Sequence, residues 1–227
     1  AMVEESRKVV SFGLDEPTEN NFGRIYYQGE AWLARGGDRL LPVSELRLIG
    51  EHNQANALAA LALGEQVGLS IIAMLDALRN FAGLPHRTQW VAEIDGATWY
   101  NDSKGTNVGA TLSALQGFSQ PVVLIAGGQA KGADFSSLRE AVVKNTRAVV
   151  LLGEDAQKIE STLADIVPVV CVNDMEGAVS KARSLSKPGD VVLLSPACAS
   201  FDMYAGFEAR GDAFVNAVHH LKDGGAS

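Results

Sequence analysis

Residues 121–135 read Pro121-Val122-Val123-Leu124-Ile125-Ala126-Gly127-Gly128-Gln129-Ala130-Lys131-Gly132-Ala133-Asp134-Phe135, an unbroken apolar run that stops at a glycine pair. A strand that is hydrophobic on both faces belongs inside a parallel sheet, where helices cover both sides. Similar runs recur at 97–100, 148–152, 167–172 and 190–194, and helical patterns fill 107–118, 136–145, 155–165, 174–186 and 207–221. Strands alternating with helices imply right-handed βαβ crossovers and a mostly parallel sheet. Residues 88–94 are expected to form a hairpin with 97–100 across Asp95-Gly96, a turn pair suited to two positive φ angles.

Upstream the texture changes. Short strand candidates at Val9–Phe12, Arg24–Tyr27, Glu30–Leu33 and Arg39–Leu41 are broken by Gly23, Gly29 and Gly36-Gly37, which predicts a small antiparallel sheet. Residues 52–67 are Ala/Leu-rich and helical, and Ser70 is expected to cap a second helix running to about Phe81. The breaker Gly83-Leu84-Pro85-His86-Arg87 marks a domain boundary, giving domains 1–82 and 83–227 with a frayed tail at Asp223–Ser227.

A formal charge of -8 over 227 residues argues against nucleic acid or an anionic membrane as partner, so any anionic ligand must be held by a few local cations. Cys171 and Cys198 lack metal-ligand spacing and are expected to be buried free thiols in a reducing compartment. The apolar runs are too short to span a bilayer, and the N-terminus lacks the apolar core of a signal peptide, so the cytoplasm is expected. Ala1 before Met2 looks like a tag remnant, and the natural chain is expected to begin further upstream.

In a parallel sheet all strand C-termini face one edge, so the loops 101–107, 127–135 and 195–202 open together. Asn101-Asp102-Ser103-Lys104-Gly105-Thr106-Asn107 concentrates an acid, a cation and several hydroxyls and amides in one strand-to-helix turn, although Thr106 or Asn107 serving only as an N-cap is the plainer alternative. The loops after the other two parallel strands look short and plain. Lys104 and Lys131 are the two cations of these loops; either would pass for a solvated charge alone, but their shared edge points to an anion. Asp102 can hold Lys104, accept from a ribose hydroxyl, or form an Asx-turn. Ser200 has no neighbouring His to activate it and reads as a hydrogen-bond donor, and Cys198 reads as packing. At the start of the Ala/Leu helix, Asn53 and Asn56 share a face and can present amides to a base or ribose, unless Asn53 or His52 merely caps the helix. Arg87 at the boundary suits a hinge cation that reaches a phosphate, or pairs only with a surface acid.

No Gly-x-x-x-x-Gly-Lys-Thr, Gly-x-Gly-x-x-Gly, paired Cys or His-Glu-x-x-His occurs. The ordered segments Leu48–Ala60, Leu84–Arg87, Asn101–Asn107, Gly127–Phe135 and Leu194–Asp202 together resemble the Mur ligases, ATP-dependent amide-forming enzymes of peptidoglycan assembly. Asn101-Asp102-Ser103-Lys104 resembles the branch of that family that adds D-glutamate. Gly105 stands where an Ala is usual and is expected to loosen the turn; Gln89 stands where a Glu is common.

The resemblance implies an α/β fold: a Rossmann-like C-terminal domain at 83–227, preceded at 1–82 by the tail end of a central ATPase domain with a small antiparallel sheet and helices. It implies a chain of twice this length, whose missing part carries the P-loop and most magnesium ligands. ATP would phosphorylate the carboxylate of UDP-N-acetylmuramoyl-L-alanine, and D-glutamate would attack the acyl phosphate. It further implies ATP contacts from Asn53, Asn56, Arg87, Asp102 and Lys104, D-glutamate contacts from Thr106, Lys131, Ser200 and Phe207, and no catalytic residue or metal ligand in this stretch. A monomer whose C-terminal domain swings about Gly83–Arg87 is expected, inactive without its missing part. Two other readings remain: a folylpolyglutamate synthase-like ligase, and a non-catalytic nucleotide- or amino-acid-binding module.

Overall fold

Alternating residues between Phe22 and Pro42 fold into an antiparallel meander of β1 (Phe22–Tyr27), β2 (Glu30–Arg35) and β3 (Asp38–Pro42). The computed structural model describes residues 9–48, 50–81 and 83–224, in two units that divide between residues 82 and 83. Val9–Phe12, expected as a further strand, is not one. Phe12 makes a single bridge to Phe22, and the Ser11 amide is taken by Asn21 Oδ1 at 2.9 Å, so no ladder extends along that edge of β1.

Helices α1 (Glu51–Gln66) and α2 (Ile71–Asn80) pack on this meander. Leu58 and Leu61 from α1 meet Phe22, Leu33 and Leu41 in a single core, with Met74 and Leu78 of α2 packed against it. Each such large side chain contributes roughly 1.5–3 kcal/mol on burial. Gly50 is the N-cap of α1, so His52 and Asn53 lie inside its first turn, and the plainer alternative that one of them caps the helix does not hold. Ser70 holds the N-cap position of α2 but makes no capping side-chain hydrogen bond.

The second unit opens with β4 (Gln89–Ile94) and β5 (Ala97–Asn101), paired antiparallel. Asp95 and Gly96 turn between them with φ of 53° and 76°, the paired left-handed geometry that the Asp-Gly dipeptide tolerates. There follow α3 (Val108–Gln116), β6 (Val122–Ala126), α4 (Leu138–Asn145), β7 (Thr146–Leu151), α5 (Ala156–Leu163), β8 (Val169–Cys171), α6 (Met175–Leu185), β9 (Val191–Leu194) and α7 (Phe207–Gly224). The six strands lie in the order β4-β5-β9-β6-β7-β8, and every pairing except β4 with β5 is parallel.

Successive residues of β6 serve opposite faces. Val122, Leu124 and Ala126 join one core with Leu115, Leu138 and Ile159, while Val123 and Ile125 join the other with Trp99, Phe214 and Val218. That two-sided burial is why these strands read as continuous apolar runs.

Two expectations fail locally. Cys171 is exposed, because β8 is the outermost strand and ends there; only Cys198 is buried. The last helix runs to Gly224 rather than 221, and the rest of the expected frayed tail, 225–227, lies outside the described residues. The N-terminal segment 1–8 also lies outside them. Among the described residues no helix is long and apolar enough to cross a membrane.

Candidate functional site

Parallel pairing of β5, β9 and β6 brings the ends of these three strands to one sheet edge, with the β9 loop in the middle. Backbone contacts stitch the three loops together. The Ala197 amide donates to Gly105 O at 2.9 Å, and the Gly127 amide donates to Pro196 O at 2.9 Å. Gln129 and Ala199 exchange amide–carbonyl bonds of 2.9 and 3.0 Å. Gly128 makes that exchange possible: its φ is 127°, and a Cβ there would stand 2.2 Å from Ala199 O.

Between the loops opens a pocket of about 410 Å³, lined among others by Thr106, Lys131, Ser200 and Phe207. These are the four residues that the family resemblance assigned to the amino-acid substrate. Lys131 sits at φ 51°, with its ammonium 5.1 Å from the Phe201 ring centroid. Ser200 is buried, while Thr106 and Phe207 are half-buried. One cation among small and aromatic residues suits a small anionic ligand, and the volume is ordinary for such a site.

The loop after β7, expected to be plain, also takes part. The Asp155 carboxylate accepts the Ala130 amide at 2.7 Å, and the Asp155 amide donates to Gly128 O at 3.0 Å. Lys158 pairs with the same carboxylate at 2.5 Å, and this hydrogen bond, followed by that from Ala130, holds the Asp155 pKa below the usual carboxylate value. Asp155 thereby braces the loop that presents Lys131.

Asp102 is buried at the start of the β5 loop. Its Oδ2 accepts from Ser195 Oγ at 2.7 Å, and its Oδ1 accepts from the Thr88 amide at 3.1 Å. Burial pushes its pKa up to about 6, against the hydrogen bonds from Ser195 and Thr88 and the nearby charge of Arg87. Asp102 does not hold Lys104, one of the roles read for it. The Lys104 ammonium lies instead 3.9 Å from the Phe207 ring centroid. Arg87 is exposed in the preceding turn, and Asn107 is the N-cap of α3, accepting from the Ala110 amide at 2.9 Å.

Both departures from the family pattern have local roles. At Gly105 a Cβ would stand 2.6 Å from Asp102 Oδ2 and 2.7 Å from Ser195 Oγ, so glycine leaves room for their hydrogen bond. Gln89 Oε1 accepts the His86 amide at 3.0 Å and closes the turn.

One buried residue in the second unit, Arg210, escaped the sequence reading. Arg210 on α7 donates from Nε to Ser103 Oγ (3.0 Å), from Nη2 to Ser103 O (2.9 Å) and from Nη1 to Cys198 O (3.1 Å). Burial lowers its pKa to about 10. Spacing held a signal: Phe207, Arg210, Phe214, Ala217 and Val218 fall on one helical stripe, so Arg210 interrupts an apolar face. Cys198 is 1% exposed with its pKa pushed by burial to about 12, consistent with packing.

In the first unit, Asn53 and Asn56 line one pocket of about 290 Å³ with Leu46, Leu48, Leu78 and Phe81, an apolar slot with two amides. Among the described residues no group of three or more His, Cys, Asp or Glu is placed to hold a metal ion.

Residues 86–198, which span all three pocket loops up to Cys198, match the family model described as Mur ligase, glutamate ligase domain. The chain is also 54% identical over 223 residues, 97% of its length, to the UDP-N-acetylmuramoylalanine–D-glutamate ligase of Nitrosococcus oceani. It belongs to the Mur ligase family. The ligases of the same name from Legionella pneumophila strain Paris and Pseudomonas aeruginosa strain PAO1 are each 54% identical, over 94% and 93% of this chain. This Mur ligase chain spans about half the length of the curated relatives it matches, 49% of the Nitrosococcus and Legionella proteins and 48% of the Pseudomonas one, and corresponds to their C-terminal half. By fold it is similar to UDP-N-acetylmuramate–alanine ligase from Thermotoga maritima, with a TM-score of 0.62 at 19% identity over 88% of this chain and 46% of that one. It is also similar to folylpolyglutamate synthase from Thermotoga maritima, with a TM-score of 0.58 at 16% identity over 89% of this chain and 47% of that one.

Proposed function

We propose that this chain is the C-terminal half of an ATP-dependent ligase that joins D-glutamate to UDP-N-acetylmuramoyl-L-alanine. The observation that carries the reading is the pocket at the sheet edge, where Thr106, Lys131, Ser200 and Phe207 arrive from three loops and the start of α7. The names of relatives at 54% identity support this acceptor over the folate-type one, whose likeness is at 16% and concerns the fold. In this reading residues 1–82 are the end of the central ATP-binding domain, and 83–227 receive the amino acid.

The reaction needs positioning and charge neutralisation more than a protein nucleophile. ATP transfers its γ-phosphoryl group to the carboxylate, and ADP leaves. The D-glutamate amine then attacks the carbonyl carbon of the acyl phosphate, phosphate departs with the C–O electron pair, and the nitrogen sheds a proton as the amide forms. Lys131 neutralises a D-glutamate carboxylate, Ser200 and Thr106 donate hydrogen bonds, and Phe207 walls the pocket. Asn53 and Asn56 face the adenine, while Arg87, Asp102 and Lys104 serve the ribose and phosphates. Magnesium would screen the phosphates, and we assign its ligands mainly outside this stretch. The 227-residue chain contains no Gly-x-x-x-x-Gly-Lys-Thr loop to cradle the phosphates, so alone it is expected to be inactive.

The test is ADP release by the full-length protein with UDP-N-acetylmuramoyl-L-alanine and each of D-glutamate, L-glutamate, L-alanine and L-lysine. The reading requires turnover with D-glutamate; turnover only with another amino acid, or none with any, would sink it.

A further inference from the structure

The Ser103 hydroxyl lies between two groups of α7. It donates to Phe207 O at 2.7 Å and accepts from Arg210 Nε at 3.0 Å, while Ser103 O accepts from Arg210 Nη2 at 2.9 Å. Ser103 is 0% exposed and Arg210 2%, so nothing in solvent replaces these bonds if they break. The third guanidinium bond, to Cys198 O, reaches the β9 loop two residues before Ser200. Ser103 in turn is anchored by its own amide, which donates to Asn101 Oδ1 at 3.1 Å. Neither side chain lines the pocket, yet every element they join does: Phe207 is a pocket wall, Ser200 follows Cys198, and Thr106 follows Ser103 in the same short loop.

We infer that Ser103 and Arg210 are positioning residues that seat Phe207 against the amino-acid pocket and fix the β5 and β9 loops relative to it. The inference rests on the D-glutamate reading of that pocket. Phe207 begins α7, with no earlier turn of the helix to hold it, and its carbonyl oxygen keeps a lone pair beyond the bond it accepts within the helix, so a bond from outside helps fix its place. The Ser103 hydroxyl supplies that bond. The planar fork of Arg210 is rigid enough to hold two loops at once, which a lysine ammonium on a flexible stem is not.

The experiment is steady-state kinetics of the full-length ligase carrying S103A, R210K, F207A and the double variant S103A/F207A, each with thermal unfolding. Ser103→Ala removes one oxygen and should fold. Its KM for D-glutamate should rise about tenfold, with the KM for ATP within about twofold, while the unfolding temperature falls modestly because Arg210 Nε loses its buried partner. R210K should show the same bias. Because Ser103 acts through Phe207, S103A/F207A should be no worse for D-glutamate than F207A alone. Unchanged D-glutamate KM in S103A, equal losses for both substrates, or additive effects in the double variant would each overturn the inference. A wild-type enzyme that does not use D-glutamate at all would instead refute the functional reading beneath it.

Discussion

Ser195 Oγ and Asp102 Oδ2 lie 2.7 Å apart in the very space that a side chain at residue 105 would fill. A buried bond therefore ties the β5 and β9 loops at a point where a Cβ on residue 105 would crowd both partners. Gly105→Ala should force the pair apart at a cost of about 1–3 kcal/mol, the usual loss when buried polar partners separate. Urea unfolding of the purified chain measures it, and an unchanged midpoint would show that the pair shifts without loss.

The same aspartate should leave a signature in pH. Its folded pKa of about 6 stands above the ordinary 3.8, so between these values the folded state holds a proton that the unfolded state has released. The stability this contributes is fully present below about pH 3.8 and is lost as pH rises to about 6. Two units correspond to roughly 3 kcal/mol. Asp155 and Asp190, whose pKa values are lowered, act with the opposite sign. The comparison must therefore be with Asp102→Asn: subtracting the two unfolding free energies from pH 3.5 to 7 should leave a wild-type advantage that declines with pH. A flat difference would contradict the assignment.

Lys131 and Lys104 should divide between substrates, though unequally. Removing a charged partner from a carboxylate costs on the order of 2–5 kcal/mol, roughly thirty- to several-thousand-fold in affinity. Lys131→Ala in the full-length enzyme should raise the D-glutamate KM by that order and move the ATP KM far less. Lys104→Ala should weaken ATP use chiefly, with a smaller effect on D-glutamate because its ammonium also covers the Phe207 ring. Kinetics in which the Lys131 variant lost mainly ATP affinity would reverse the assignment.

Asp155→Ala should behave as a weaker copy of Lys131→Ala. It frees the Ala130 amide and leaves the Lys131 loop unbraced, so the D-glutamate KM should rise about tenfold while kcat changes little. A fall in kcat at constant KM would point to a different role.

The two thiols should separate cleanly. Thiol reagent should titrate Cys171, which is exposed, in the folded chain, and reach Cys198 only in denaturant. Two equivalents of rapid reaction under native conditions would mean that the β9 loop opens.

The parallel sheet and its three chemical loops were legible because periodicity and glycine placement are local properties. Cys171 misled because an apolar strand at a sheet edge looks the same in sequence as one at the centre. Val9–Phe12 has strand composition, but a neighbouring side chain, Asn21, took the amide that a ladder needed. Ser103, Arg210 and Asp155 were invisible as site elements because the bonds that tie them to other loops reach partners 12 to 107 residues away in the chain. Nothing local distinguishes a buried, fully bonded arginine from a solvated one, apart from its place on an apolar stripe.

The sheet order has a consequence for biosynthesis. β9 is the last strand among the described residues, yet it lies between β5 and β6, so those two cannot be joined into one sheet until residues 191–194 have left the ribosome. Every loop of the pocket is waiting on that insertion. A nascent chain stopped before Val191 holds most of the sheet's residues but has no pocket to offer, and its open gap between β5 and β6 is a sticky pair of strand edges. The ligand site is thus assembled only after β9 and the start of α7 have been made.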